Sequence, residues 1–172
     1  MADTLETLLA KQAITEQLYR YCRAFDRMDH ALALSVWHAD GTVQYGNKPT
    51  EPIAAYLGPS ETYRWTLDNC SHQITNLLIR VRGARAVSEA YVTASLQEQA
   101  QDGRVVENLF RGRYIDRWSL REDVWAIDHR QFIPDSYTRI ETPAFPMREF
   151  FTGSRDRQDP SYLAWAELDA AG

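Results

Sequence analysis

The hydrophobic pattern of this sequence changes its period once, and that change limits the possible folds more than any other feature. Up to about residue 68, apolar residues recur every three or four positions, as they do in amphipathic helices. Beyond that point they alternate with a period of two, which is typical of β-strands. The alternating runs are Cys70–Val81, Ala86–Gln99, Val105–Trp118 and Val124–Ile133. Helices followed by a strand meander predict an α+β fold, in which helices pack on one face of a curled sheet.

The longest helix is predicted at the N-terminus, from about Thr4 to Arg27, because a single apolar stripe runs along it. The stripe consists of Leu5, Leu8, Leu9, Ile14, Leu18, Tyr21, Cys22 and Phe25. Asp29 is placed to cap a second helix, His30 to Trp37, and a strand is expected at Thr42–Tyr45. Two further short helices are predicted, at Ile53–Leu57 and from a Ser60 cap to Asp68, because Gly58 and Pro59 should separate them.

Turn-forming pairs separate the four β-runs, at Arg82-Gly83, Asp102-Gly103 and Glu122-Asp123. Connections this short predict that consecutive strands pair antiparallel. We assign residues 1–133 to the α+β domain. Residues 134–172 contain prolines and many aromatic residues, and we expect them to form an arm of the same domain that covers the pocket mouth or a neighbouring subunit.

Composition and charge exclude several classes of protein. The length of 172 residues fits about one domain. A net charge of −5 argues against a general nucleic-acid binder, and no apolar run approaches the ~20 residues of a membrane span. Cys22 and Cys70 are too few for a disulfide framework, and the acidic N-terminus does not look like a signal peptide. We therefore expect a cytoplasmic domain that binds neither nucleic acid nor membrane.

Asp26 and His72 are the strongest candidates for chemistry. Asp26 continues the apolar helix stripe one step beyond Cys22, so its carboxylate lies at the edge of a buried face and needs a partner. Strand alternation places His72 on one face with Ile74 and Asn76. Taken alone, Asp26 is better explained as a helix-end group and His72 as a core residue. Together, an Asp–His pair would fix the imidazole tautomer and leave the other ring nitrogen free to move a proton.

Other residues give weaker signals. Tyr21 shares the helix face of Asp26, where a core aromatic with its hydroxyl at the edge is the simpler role. Arg130, or less directly Arg121, could bind an anionic or phenolic group, although a surface ion pair is the commoner fate of an arginine. His38 lacks a second cluster with metal-ligand spacing, so no metal is expected. Motifs for dinucleotides, phosphate loops and esterases are missing from the sequence.

Three stretches of the sequence carry a resemblance to a known family. They are Tyr21–Asp26 followed by Asp29 and Trp37–Val43, then His72–Asn76, and finally Gly112–Arg117 with Val124–Ile127. Their order and spacing resemble the SnoaL-like branch of the nuclear transport factor 2-like superfamily. Within that branch, the pattern is similar to scytalone dehydratase, bile acid 7α-dehydratase and hexachlorocyclohexane dehydrochlorinase.

The resemblance implies a cone-shaped α+β barrel, with a deep apolar pocket between the sheet and the N-terminal helices that pack over its concave face. In these relatives a helix-end aspartate orients a strand histidine that acts as general base or acid, roles that correspond to Asp26 and His72. The tyrosine used by the bile acid dehydratase corresponds to Tyr21. The second pocket histidine of scytalone dehydratase has no counterpart in the runs 86–99 and 105–118.

These observations predict a cofactor-independent lyase that acts on a hydrophobic aromatic or polycyclic substrate. His72, held by Asp26, would remove a proton next to the leaving group, and Tyr21 would assist the departing oxygen. Loss of water is the leading reaction, with retro-aldol cleavage or isomerisation as alternatives. Asn76, Arg130, Tyr114 and Phe110 are expected to bind the substrate. A lid is expected from aromatic residues of the arm, namely Phe145, Phe150, Phe151, Tyr162 and Trp165.

Two non-catalytic functions remain as alternatives, because one fold hosts unrelated functions. The chain could be the small (β) subunit of a ring-hydroxylating dioxygenase, or a module that only binds small apolar ligands. For the lyase and for both alternatives, the resemblance implies a homo-oligomer, a dimer or a trimer.

Overall fold

The structure, a computed structural model, describes residues 3–100, 102–144 and 152–171. Its helices are α1 (Leu5–Asp26), α2 (His30–Ser35), α3 (Ile53–Trp65) and α4 (Pro160–Ala170). Its strands are β1 (Trp37–Tyr45), β2 (Glu51–Pro52), β3 (Asn69–Arg82), β4 (Arg85–Gln99), β5 (Arg104–Arg121) and β6 (Val124–Pro143). Within the described ranges, none of the helices combines the length and the apolarity that a membrane-spanning helix needs.

The strands form one curled, open sheet in the order β2-β1-β6-β5-β4-β3. All neighbours pair antiparallel except β1 and β6, which are parallel. Glu122 and Asp123, the two residues between β5 and β6, both have positive φ, as a tight hairpin turn requires. The predicted α+β class, with a curled and mainly antiparallel sheet under N-terminal helices, is confirmed, although the strands that the structure describes do not close into a barrel.

Helix α1 packs against β3 and β6 through the stripe that its sequence predicts. Thr4 caps its first turn by accepting a hydrogen bond from the backbone N–H of Thr7 at 3.2 Å. Ala10 and the stripe residues that follow it are buried, whereas the start of the stripe is exposed. The exposed stripe residues are Leu5, Leu8 and Leu9. The buried part ends at Asp26, which brings this carboxylate to the edge of the sheet.

Helix α3 corrects one prediction, because Gly58 and Pro59 do not divide it into two helices. Pro59 has no N–H to donate to the carbonyl of Ala55, one turn earlier. Ala55 and Pro59 both lie on the exposed side of the helix, so water can solvate the carbonyl of Ala55. Ile53 and Leu57, each 2% exposed, hold the opposite side in the core, and this burial outweighs the lost hydrogen bond.

The C-terminal region is more regular than its sequence indicates. Strand β6 passes the predicted boundary at residue 133 and stays paired with β5 as far as Pro143. Pro134 lies opposite Gly112, where the register of β5 and β6 shifts. The missing N–H of Pro134 therefore falls at a β-bulge and not within an unbroken ladder of hydrogen bonds. Asp159 caps α4, which was not predicted, by accepting a hydrogen bond from the N–H of Ser161 at 3.1 Å. The covering role proposed for residues 134–172 stays a prediction.

Candidate active site

Asp26 and His72 are in direct contact at the edge of the sheet. Asp26 Oδ1 lies 2.7 Å from His72 Nδ1, and Asp26 Oδ2 accepts the backbone N–H of His72 at 3.0 Å. The two hydrogen bonds fix both the ring and the strand that carries it. Because an ionised carboxylate only accepts, the proton of a neutral imidazole lies on Nδ1, which leaves Nε2 as the nitrogen that can take a proton.

Cys70 adds a sulfur atom to this pair. Its Sγ lies 3.7 Å from His72 Nδ1, and Asp26, Cys70 and His72 bring one oxygen, one sulfur and one nitrogen atom within 4.8 Å of one another. Such a set could hold a soft divalent ion such as zinc, but only if the hydrogen bond between Nδ1 and the carboxylate opened. The expectation that no metal is bound stays a prediction.

His72 lines a cavity of about 220 Å³ that is walled mainly by aromatic rings. The other lining residues are Tyr45, Tyr56, Ser60, Tyr63, Val92, Ala94, Leu96, Phe110, Tyr114 and Phe132. Phe110 and Tyr114, predicted to bind substrate, therefore lie in the same cavity as His72. The alternation of β4 and β5 explains this arrangement, because every second residue of a strand faces the same side of the sheet.

Tyr45 provides a hydroxyl in the cavity wall that the sequence did not indicate. Burial raises the pKa of Tyr45 well above its ordinary value, and burial has the same effect on Tyr114, so both phenols keep their protons at neutral pH. The Tyr45 ring stacks on Tyr56, with ring centroids 4.6 Å apart. β1 extends to Tyr45 and pairs with β6, a non-local contact that turns this side chain into the cavity.

Tyr21 lies behind this wall rather than in it. Its side chain is 1% exposed, and its hydroxyl is 3.0 Å from the hydroxyl of Tyr45. Tyr21 is not among the residues that line the cavity, whereas Tyr45 is. Tyr21 is therefore separated from the cavity by Tyr45, and its predicted role in catalysis stays a prediction.

Among the predicted substrate-binding residues, Arg130 differs most from its expected position. It is fully buried, and its Nε and Nη2 donate to the two carboxylate oxygens of Asp116 at 2.7 Å each. Burial alone would lower the pKa of Arg130, but the Asp116 carboxylate outweighs it and raises the pKa well above the ordinary value. The guanidinium lies over the rings of Tyr114 and Tyr21, at 3.9 and 4.1 Å. Arg130 is thus part of the core and does not line the cavity.

Asn76 and Arg121 also lie away from the cavity. Asn76 is exposed and has a φ of 49°, at a bulge between Thr75 and Leu78 where the pairing of β3 with β4 shifts register. The bulge resets the strand alternation, so that Leu77 packs against the core in place of Asn76. Arg121 pairs with Asp40 at 2.8 Å, at the far end of β5.

A second opening, of about 270 Å³, lies between α1 and β3 and also reaches Asp26 and His72. Arg23 lines it, and this guanidinium lies 3.9 Å from the centre of the Trp165 ring and 4.6 Å from that of Tyr162. Tyr162 and Trp165, two of the predicted lid residues, therefore pack on an arginine that lies beside Asp26 and His72. Phe145, Phe150 and Phe151 lie outside the described residues, so the lid stays a prediction.

Comparison with known proteins identifies the family. Residues 6–131 match the family described as SnoaL-like domain. The chain belongs to this SnoaL-like family. The match covers both Asp26 and His72, and the predicted family is confirmed. No curated protein matches the sequence.

Solved structures share the fold of this SnoaL-like chain. Hexachlorocyclohexane dehydrochlorinase LinA-type3 from Novosphingobium barchaimii is 17% identical, with a TM-score of 0.69 over 83% of this chain and 98% of that one. A candidate scytalone dehydratase from Novosphingobium aromaticivorans is 20% identical, with a TM-score of 0.67 over 84% and 97%. The Kfla4162 protein from Kribbella flavida is 20% identical, with a TM-score of 0.68 over 74% and 92%. At these identities the similarity concerns the fold.

Proposed function

We propose that this SnoaL-like protein is a cofactor-independent lyase that eliminates water, or a similar small group, from a hydrophobic ring compound. The observation that carries the proposal is the contact between Asp26 and His72 at the wall of an aromatic cavity. An imidazole held by a carboxylate, with its second nitrogen free, is a common general base. The aromatic wall would exclude water and stack on a planar substrate.

The proposed elimination uses four side chains, those of His72, Asp26, Tyr45 and Tyr21. His72 Nε2 takes a proton from the carbon next to the one that bears the leaving hydroxyl, and Asp26 stabilises the imidazolium that forms. The electrons of the broken C–H bond form the new double bond as the C–O bond breaks. Tyr45 donates a hydrogen bond to the departing oxygen, which leaves as water once it receives the proton that His72 removed. Tyr21 orients the Tyr45 hydroxyl through their 3.0 Å contact.

Two structural neighbours support an elimination in particular. One is named a dehydrochlorinase and the other a candidate dehydratase, and both names denote the elimination of a small molecule. The cavity also limits the substrate. Its volume of about 220 Å³ is below the ~300–1,000 Å³ of usual ligand pockets, which favours a compound of one or two rings.

The proposal is tested by assaying the full chain, without added cofactors, against hydroxylated one- and two-ring ketones, following the conjugated product by ultraviolet absorbance. His72→Gln and Asp26→Asn should each lower kcat at least about 100-fold, since a general base contributes roughly 10²–10⁴-fold. His30→Gln, an exposed histidine on α2, is the matched control and should leave kcat unchanged. Product formation that survives His72→Gln would exclude the mechanism. Ligand binding without turnover in any variant would favour the binding module.

A further inference from the structure

A third groove, which we call the basic groove, lies on the opposite face of the sheet from the aromatic cavity. It has a volume of about 870 Å³ and is situated where β3 and β4 join. Its lining includes five arginines and one histidine, namely Arg80, Arg82, Arg85, Arg117, Arg121 and His129. Their strand neighbours Ala86, Ser88 and Trp118 are buried on the inner face, so alternation directs the basic residues outward.

The strand register concentrates these charges in a small area. Arg82 lies directly opposite Arg85, and Arg80, Val87, Arg117 and His129 form one row across four strands. Adjacent strands are ~4.8 Å apart, so the row separates Arg80 from Arg117 by only about 10 Å. Like charges directly opposite each other in a sheet are destabilising. The arginines of the groove therefore repel one another in the folded chain, and the pairing of the strands does not depend on this repulsion.

The chain itself compensates little of this charge. Arg121 pairs with Asp40 and with Asp128, and Asp128 also lines the groove. The other four arginines of the groove form no ion pair with any residue that the structure describes. Burial lowers the pKa of His129 below its ordinary value, the Arg117 charge lowers it further, and Asp116 opposes this in part. The four arginines without an ion pair therefore make the electrostatic field in the groove positive, in a chain whose net charge is −5.

The chemistry of the side chains indicates which anion would fit. The planar fork of a guanidinium matches phosphate oxygens in a bidentate manner, better than a lysine does. Several arginines within about 10 Å match a ligand with more than one oxyanion group. Carboxylates border the groove on both sides, with Glu89 and Asp135 around Arg113 on one side and Asp40 on the other. A long polyanion leaving the groove would meet these negative charges, whereas a compact ligand would not.

We propose that the basic groove binds a small ligand with two or more phosphate groups, of the pyrophosphate or nucleoside diphosphate class. The proposal is independent of the lyase function. Arg80 follows His72 by eight residues on β3, about 26 Å along the strand. The bulge between Thr75 and Leu78 reverses the alternation between them, so Arg80 faces the opposite side of the sheet. Failure of either proposal therefore leaves the other untouched.

The experiment is a calorimetric titration of the full chain with pyrophosphate and with ADP at low salt, repeated at rising salt. We expect saturable binding that weakens with salt. Arg82→Gln combined with Arg85→Gln should weaken it about tenfold or more, since charge-assisted hydrogen bonds to both side chains are lost. Arg117→Gln provides a second variant from another strand. Arg20→Gln combined with Arg104→Gln removes the same charge outside the groove and should change the affinity less than about twofold.

Four results would overturn the proposal. The first is the absence of saturable binding of both probes at low salt, measured on protein whose circular dichroism confirms that it is folded. The second is an equal loss of affinity in the control variant, which would mean that only net charge matters. The third is tighter binding of duplex DNA that the groove variants abolish. The fourth is the loss of an oligomer, seen by light scattering, when the groove arginines are replaced and pyrophosphate does not bind, which would identify the groove as a contact between copies.

Discussion

Arg130 and Asp116 form an ion pair with no exposed surface, enclosed by the rings of Tyr21, Trp37 and Tyr114. Two hydrogen bonds join the partners, while Arg130 Nη1 has no hydrogen-bond partner among the described residues. Such a pair is costly to desolvate and costlier to break, because breaking it leaves one charge buried alone. Its position beneath Tyr21 and Tyr114 means that it also supports the wall of the aromatic cavity.

Replacing one partner of this pair should therefore destabilise the protein strongly. We expect Arg130→Met to lower the free energy of unfolding by about 3–5 kcal/mol, because it leaves the Asp116 carboxylate uncompensated. Urea denaturation followed by tryptophan fluorescence measures this. Arg130→Met combined with Asp116→Leu should recover a large part of the loss, since no buried charge remains. A loss below about 1 kcal/mol in the single variant would show that the pair is not isolated from water.

The part of the candidate site that depends on local sequence patterns could be predicted. Asp26 ends an apolar helix stripe and His72 begins an alternating strand, and the family resemblance brought the two together. Asn76 was misplaced because a bulge shifts the strand alternation, and a single sequence does not show where pairing will shift. Arg130 was misplaced because its partner, Asp116, lies on another strand and is identified only by the register.

At the scale of a single element, the bulge in β6 opposite Gly112 of β5 connects the sheet to the cavity. A Cβ built on Gly112 would lie 2.4 Å from the carbonyl oxygen of Ile133 and 2.7 Å from the ring of Phe132. No ordinary side-chain contact is that short, so glycine is required where β5 and β6 shift register. Because Phe132 also lines the cavity, the close approach at Gly112 sets the position of one cavity wall.

Gly112→Ala should consequently affect both stability and ligand binding. We expect a loss of about 1–3 kcal/mol in the free energy of unfolding, as for other overpacked sites, because the backbone carbonyl of Ile133 must move. Gly58→Ala is the matched control, since nothing lies within 4 Å of its added Cβ and it sits in helix α3. That change should be neutral or stabilising by up to about 1 kcal/mol. Equal melting temperatures for the two variants would contradict this account of the bulge.

At the scale of the whole molecule, the enclosed cavity wall and core make the protein sensitive to alkali. Burial raises the pKa of Cys22 from 9.0 to about 12, and burial raises the pKa values of Tyr45 and Tyr114 well above 10.0. In the unfolded chain these groups lose their protons near their ordinary values, so above about pH 9 the folded state holds more protons. Below about pH 9 these three groups should therefore not change the free energy of unfolding. Above about pH 9 they should lower it as the pH rises.

This fall is measured by urea denaturation between pH 7 and pH 11. Each of the three groups contributes a slope of at most about 1.4 kcal/mol per pH unit, because that is the free energy of one proton per unit. Cys22→Ala and Tyr45→Phe should each make the decline shallower, even where they lower the stability at pH 7. Tyr19→Phe, whose ring is 54% exposed, is the control and should leave the slope unchanged. A free energy of unfolding that stays constant up to pH 11 would contradict the burial of these groups.

The sequence by itself determined the features that depend on near neighbours. The apolar stripe of α1, the cap at Asp29, the four long strands and their turns, and thus the α+β class, all follow from interactions within a few residues. Only the tertiary structure decided which side chains meet across strands. The pairing of β1 with β6 brings Tyr45 into the cavity wall, and the register of β5 and β6 buries Arg130 on Asp116. The physical reason is that a shift of one residue reverses the face of every side chain in a strand, and that shift is fixed by partners distant in sequence.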